Sequence, residues 1–166
     1  RVLVAVLPAV ALQEEDCINS RFCKPHTKTH PMDTLNQEAI RYLFKQDKFA
    51  NHVGIELVDI SPGQATSTLT IQHYHLNGVG TVQGGVLFTL ADFTLAAAAN
   101  THGNVALVIN GDIAFLKPVS SGTLTAHAEE AGSTRRLATY RVSITDDSGD
   151  MVAVVQGTAY RKKEKI

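Results

Sequence analysis

A chain of 166 residues, 44% of them hydrophobic and 19% charged, has the composition of a single globular domain with a sizeable core and is short for two. Fifteen basic against sixteen acidic residues give a net charge of −1, and no dense basic stripe interleaved with aromatics precedes the tail, which argues against nucleic acid as a partner. No apolar run reaches the roughly 20 residues needed to span a bilayer, so a soluble protein without a membrane partner is expected.

The first residues differ from the rest. Residues 1–12 resemble the apolar part of a signal peptide, and a polar stretch carrying Cys17 and Cys23 follows as far as Pro31. Met32 then directly precedes a good helix start. Residues 1–31 are therefore read as a leader, tag or poorly ordered segment, and 32–166 as the domain. Two cysteines in such a segment do not make a disulfide framework, and a reduced, cytoplasmic protein is expected.

From there the elements follow in order. An amphipathic helix is predicted from 33 to about 49, then an alternating strand over 54–60, a turn at Ser61, Pro62 and Gly63, and a strand from 64 to about 72. A glycine-rich loop leads into a long apolar helix ending near Asn100, with Gly103 as its stop. Four strands complete the chain, near 105–115, 122–131, 134–145 and 151–160, the last two joined by a turn at 146–150. Six strands in one antiparallel sheet with an apolar helix against it make an α+β domain. No internal repeat or low-complexity tract is visible.

The run 77–92 carries the chemistry. The helix that begins near Gly84 and Gly85 is hydrophobic on every face apart from a single carboxylate, Asp92, so it should be enclosed by other structure. A carboxylate in such surroundings either has a structural partner or is tuned for reaction, because removal from water disfavours its charged form. The two glycines allow a ligand to approach the free N–H groups of the first turn, where the helix dipole favours a developing oxyanion. Eight residues at about 1.5 Å rise separate Gly84 from Asp92 by roughly 12 Å, too far to serve one carbon from one helix. Two copies of the helix antiparallel about a twofold axis would bring the two groups together and create two equivalent sites.

The order Asn77, Gly84, Gly85, Phe88, Leu90, Ala91, Asp92, followed by Phe115, Leu116, Lys117 and Pro118 at a strand end, resembles the hotdog-fold acyl-CoA thioesterases of the phenylacetic-acid-pathway (PaaI-like) type, over about residues 32–162. The resemblance implies a hotdog fold, a six-stranded antiparallel sheet wrapped around a long central helix, and hydrolysis of acyl-CoA to acid and CoA by a homodimer or dimer of dimers. It makes Asp92 the catalytic carboxylate, the Gly84 N–H the group that polarises the carbonyl, and Asn77 a holder of the carbonyl or water. Many members carry His where this chain has Gln83, which still donates and accepts hydrogen bonds.

The other candidates have plainer alternatives. Asn77 alone reads as a loop residue bonding its own backbone, and the glycines alone as packing positions. Thr94 and Asn110 are placed near the site, to orient water, by their position on the helix and the following strand. Gln83 and Gly85 are assigned to substrate binding with them. Lys117, Arg135 and Arg136, and less strongly Arg161, Lys162 and Lys163, are candidates for the CoA phosphates. His73 and His75 would share a face if they lay on a strand, a spacing a metal site can use, but no carboxylate or cysteine lies in register, so no metal and no cofactor are expected. His102 and His127 read as structural or solvent-facing. No Gly-x-Ser-x-Gly elbow supports a serine triad. Attack by water with Asp92 as base, and attack by Asp92 itself through an anhydride, are both chemically open. Two other readings use the same cleft: a non-catalytic acyl-CoA sensor, and a dehydratase, which would need the histidine that Gln83 replaces. Medium-chain or phenylacetyl-like acyl groups are the expected substrates.

Overall fold

The computed structural model describes residues 34–166. The expectations for residues 1–31, for Cys17 and Cys23 and for a helix start at Asp33 lie outside those residues. The described chain runs α1 (Thr34–Lys45), α2 (Lys48–Val53), β1 (Ile55–Ser61), β2 (Gln64–Thr70), a short 3-10 turn (His73–His75), α3 (Gly84–Asn100), β3 (Asn104–Phe115), β4 (Thr123–Ser133), β5 (Leu137–Thr145) and β6 (Met151–Lys165).

The six strands form one antiparallel sheet in the order β1-β2-β4-β5-β6-β3. Helix α3 lies against it, in the hotdog arrangement. Leu87, Leu90, Phe93 and Leu95 are buried against inward residues of the sheet such as Leu69, Leu124, Val142 and Val155, each large apolar side chain contributing about 1.5–3 kcal/mol. The helix is not enclosed on every side. Gly85, Phe88, Asp92 and Ala96, spaced three to four apart, form a stripe that is not buried. The one carboxylate of α3 therefore sits on its one open face.

Several boundaries differ from expectation for identifiable reasons. The single helix expected to run to about residue 49 is two helices. Asp47 accepts hydrogen bonds from the N–H groups of Phe49 (3.0 Å) and Ala50 (2.9 Å), capping α2 and ending α1. Strand β2 ends at Thr70, and His73 and His75 share a 3-10 turn, not a strand face. His75 is buried with both ring nitrogens occupied, Nδ1 accepting from the Gln72 N–H (3.0 Å) and Nε2 donating to the Val53 carbonyl (2.9 Å). Strand β5 begins at Leu137, because Thr134 and Leu137 bond each other in a tight turn. Strand β6 continues past Tyr160 to Lys165, where it pairs with Asn104 at the start of β3.

Among the described residues, strand β3 forms one edge of the sheet and pairs only with β6. It and the residues after it expose Leu107 (51%), Ile109 (59%), Phe115 (55%) and Leu116 (58%). An unpaired apolar edge of this length is a template for another strand.

Candidate functional site

A cavity of about 400 Å³ opens at the N-terminus of α3, lined by residues that include Asn77, Thr81, Gly84, Phe115, Leu116 and Lys117. Three of the candidate residues, Asn77, Gly84 and Lys117, thus come together from segments up to 40 residues apart. The loop before the helix is held from within by Asn77. Its Oδ1 accepts from the N–H groups of Val79 (3.0 Å) and Thr81 (3.2 Å), while its Nδ2 donates to Thr81 Oγ1 (2.9 Å). The plainer reading of Asn77 is satisfied, and the residue also lines the cavity.

The first turn of α3 is largely capped. Gln83 is the N-cap, and its Oε1 accepts a hydrogen bond from the Gly85 N–H. The Gln83 carbonyl takes the N–H groups of Val86 and Leu87. That leaves the Gly84 N–H, which has no hydrogen-bond partner among the described residues and lies at the cavity wall. A Cβ at Gly84 would come within 2.9 Å of the Phe115 ring, so glycine here serves close packing and access to the N–H together. A free donor at the positive end of a 17-residue helix is suited to an oxygen that gains negative charge.

Asp92 lies two turns further along the open stripe and does not line this cavity. Among the described residues it makes no hydrogen bond or ion pair. Burial pushes its carboxyl up from its ordinary value, and the negative charge of Asp47 pushes it the same way. Asp92 bonds to no neighbouring strand among the described residues. A half-buried carboxylate with raised proton affinity and no partner has the character of a general base.

The remaining candidates separate. Thr94 is fully buried, with Oγ1 donating to the Leu90 carbonyl (2.6 Å). Two residues on from Asp92 are 200° around the helix, so within this chain Thr94 faces the core. Asn110 is exposed on β3 beside a shift in pairing register, and its neighbour Gly111 is the residue that packs against Phe88. Lys117 lines the cavity with its ammonium on Asp146 and Asp150 (both 2.6 Å), bonds that hold its pKa above the ordinary value. Its charge is already compensated twice over. Arg135 and Arg136 line a second cavity of about 370 Å³ with Asn104, Arg161, Lys162 and Lys163, at the opposite end of β3. Arg135, Arg136 and Lys163 have no acidic partner among the described residues.

Sequence reasoning missed Glu130. Its Oε2 accepts from Tyr140 Oη (2.9 Å) and Arg161 Nη2 (2.8 Å) and lies 2.6 Å from His102 Nε2. Burial opposes its charge, but hydrogen bonds from Ser133, Tyr140 and His102 outweigh it and hold the carboxyl below its ordinary value. His102 is thus structural, as expected, and His127 lies 3.1 Å from Thr66 Oγ1. No group of three or more potential metal ligands occurs among the described residues.

Residues 79–153 match the Thioesterase superfamily model, a span holding the Gly84 donor and Asp92. The acyl-coenzyme A thioesterase PaaI of Escherichia coli is 32% identical over 72% of this chain and 86% of its own length. Acyl-coenzyme A thioesterase 13 of Homo sapiens is 29% identical over 70% of this chain and 87% of its own. The solved structure of the E. coli PaaI protein from the phenylacetic acid degradation operon superposes with a TM-score of 0.77 at 29% identity, covering 81% of this chain and 99% of that one. The chain belongs to the thioesterase superfamily.

Proposed function

We propose that this thioesterase hydrolyses acyl-CoA at sites assembled from two copies of the chain, Asp92 of one copy acting beside the Gly84 N–H of the other. The observation that carries the reading is the separation of two unsatisfied groups on one helix. Among the described residues Asp92 lacks a partner and the Gly84 N–H lacks an acceptor, and roughly 12 Å of helix lies between them. The exposed apolar edge of β3 supplies a surface for antiparallel pairing about a twofold axis. Such pairing sets the start of one β3 against the end of the other. It carries the basic cavity beside Asn104 toward the partner's Gly84 cavity, a suitable place for the CoA phosphates. Arg135, Arg136 and Lys163 then serve that role better than the doubly paired Lys117.

In the reaction, Asp92 removes a proton from water as the water oxygen attacks the thioester carbon. The carbonyl electron pair moves onto oxygen, where the Gly84 N–H and the helix terminus receive the charge. Collapse of the tetrahedral adduct re-forms the carbonyl and breaks the carbon–sulfur bond, and the departing thiolate of CoA takes up the proton held by Asp92, which returns to its carboxylate form. The raised pKa of Asp92 makes it a stronger base while the turnover pH stays above that value.

The test is Asp92→Asn assayed with a thiol reagent on short, medium, long and aromatic acyl-CoA substrates. Turnover should fall about 10²–10⁴-fold with the fold intact. Unchanged turnover would remove Asp92 from the mechanism. Binding without thiol release by the unaltered protein would identify a sensor. Sedimentation should show a dimer or a dimer of dimers, and an active monomer would defeat the shared site.

A further inference from the structure

The open stripe of α3 does not end at Asp92. One turn further on, Ala96 forms part of the floor of a separate groove of about 370 Å³, walled by Leu43 and Phe44 of α1 and by Val105 and Leu107 of β3. Leu43 and Leu107 are exposed there. The walls are fixed: Phe44 packs edge-on against Phe93 of α3 with ring centroids 5.1 Å apart. Of the polar residues at its margin, Gln46 is exposed to solvent, and Asp47 and Asn100 are engaged. Asp47 accepts from the Phe49 and Ala50 N–H groups, and the Asn100 side chain bonds the Ala96 and Ala106 carbonyls and the Ala106 N–H. Between Ala96, Leu43, Phe44, Val105 and Leu107 the groove therefore asks no hydrogen bond of what fills it. Its size lies at the lower end of small-ligand sites.

We infer that this groove receives the acyl group of the substrate, and that Ala96 and Leu107 set the chain length accepted. The inference rests on the proposed reaction, which puts the thioester carbonyl beside Asp92. From that carbonyl, an acyl chain following the open face of α3 toward its C-terminus passes Ala96 and enters the groove. The alternative exits along that face lead back to Phe88 and Gly85. The neighbouring cavity that holds Arg135 and Arg136 lies at the start of the same strand, through Asn104.

Non-hydrolysable S-alkyl-CoA thioethers of increasing length, titrated by calorimetry into the full chain, test the groove independently of turnover. In the unaltered protein the dissociation constant should fall roughly two- to fourfold per added methylene until the groove is filled. Ala96→Leu, a good helix former at a position that is not buried, should end that gain at a shorter chain. Leu107→Ala, at the β3 edge proposed for pairing, should flatten it where sedimentation shows the assembly kept, and either variant alone suffices if the other does not fold or assemble. The same proteins assayed on acyl-CoA thioesters should shift their preference in parallel. Affinity independent of chain length, or gains that run parallel in both variants and the unaltered protein, would overturn the groove assignment and leave it to the chain's own N-terminal segment or a second copy. Chain-length dependence without thiol release would sustain the groove and defeat the hydrolysis reading.

Discussion

The two ends of α3 are built to opposite rules. At the C-terminal end nearly every polar group has a partner. Asn100 bonds three backbone groups of α3 and β3, Thr101 Oγ1 donates to the Ala98 carbonyl and accepts from the Gly63 N–H (2.8 Å), and Asn36 donates to the Thr101 carbonyl (3.2 Å). His102 then leads to the cluster on Glu130, in which Arg161 and the fully buried Tyr140 meet. Toward the other end the helix leaves a donor free at Gly84 and a carboxylate unpaired at Asp92 among the described residues. The satisfied end anchors the helix to four strands, and this lets the unsatisfied groups be held in place without partners of their own.

The contrast can be broken from either side. Asp92→Asn should show its activity loss, at least about a hundredfold, together with stability at pH 7 that is unchanged or higher. The sign follows from the raised pKa. The folded state holds this proton more tightly than the unfolded chain, so Asp92 lowers stability progressively as pH rises from the ordinary aspartate value to the raised one. Urea unfolding of the variant should lack that decline.

Glu130→Ala should do the reverse. It strands Arg161, whose Nε already lacks a partner, and leaves the Tyr140 hydroxyl without its acceptor, at a cost of about 3 kcal/mol in urea unfolding. Because the folded pKa of Glu130 is depressed, this contribution is present above the ordinary glutamate value and is lost as pH falls through the depressed one. Turnover per folded molecule should change far less than in Asp92→Asn. A large kinetic effect at full folding would show that the two ends are not separable.

Gln83→Ala removes the cap at the open end and should cost about 1 kcal/mol, read as a lower unfolding midpoint. The smallest effect is expected from Asp47→Asn. Asparagine caps α2 as well as aspartate does, so stability should hold, while loss of the charge that raises Asp92 should move the acid limb of the kcat/KM profile to lower pH. An unmoved limb with an intact cap would remove Asp47 from the electrostatics of the site.

The features legible in the sequence are those with a local cause. Helix α3 is marked by its uninterrupted apolar run, β1 and β2 by alternation about a Pro-Gly turn, and the Gly84–Asp92 spacing by helix geometry alone. The break at Asp47 was obscured because the apolar period of α1 continues through it, although Asp followed by Lys and Phe is itself a cap signal. The end of β6 was missed because residues 161–165 are charged, and their strand conformation comes from pairing with β3. Thr94 shows the opposite case, since its helical phase alone turns it away from Asp92. Neither the approach of Asp47 to Asp92, 45 positions apart, nor the assembly of Glu130 with His102, Tyr140 and Arg161 leaves any local pattern. Both are products of the tertiary fold.

The cap at Gln83 has a kinetic consequence. A helix start with all its N–H groups free binds carboxylates well, and a thioesterase releases a carboxylate at every turnover. With Gly85 held by the Gln83 side chain and Val86 and Leu87 by its carbonyl, the first turn offers a single donor. One donor is enough for the one oxygen that becomes charged in the transition state, but it cannot grip both oxygens of the acid product. On the proposed reaction, the same residue that stabilises the helix start keeps the enzyme from being inhibited by its own product.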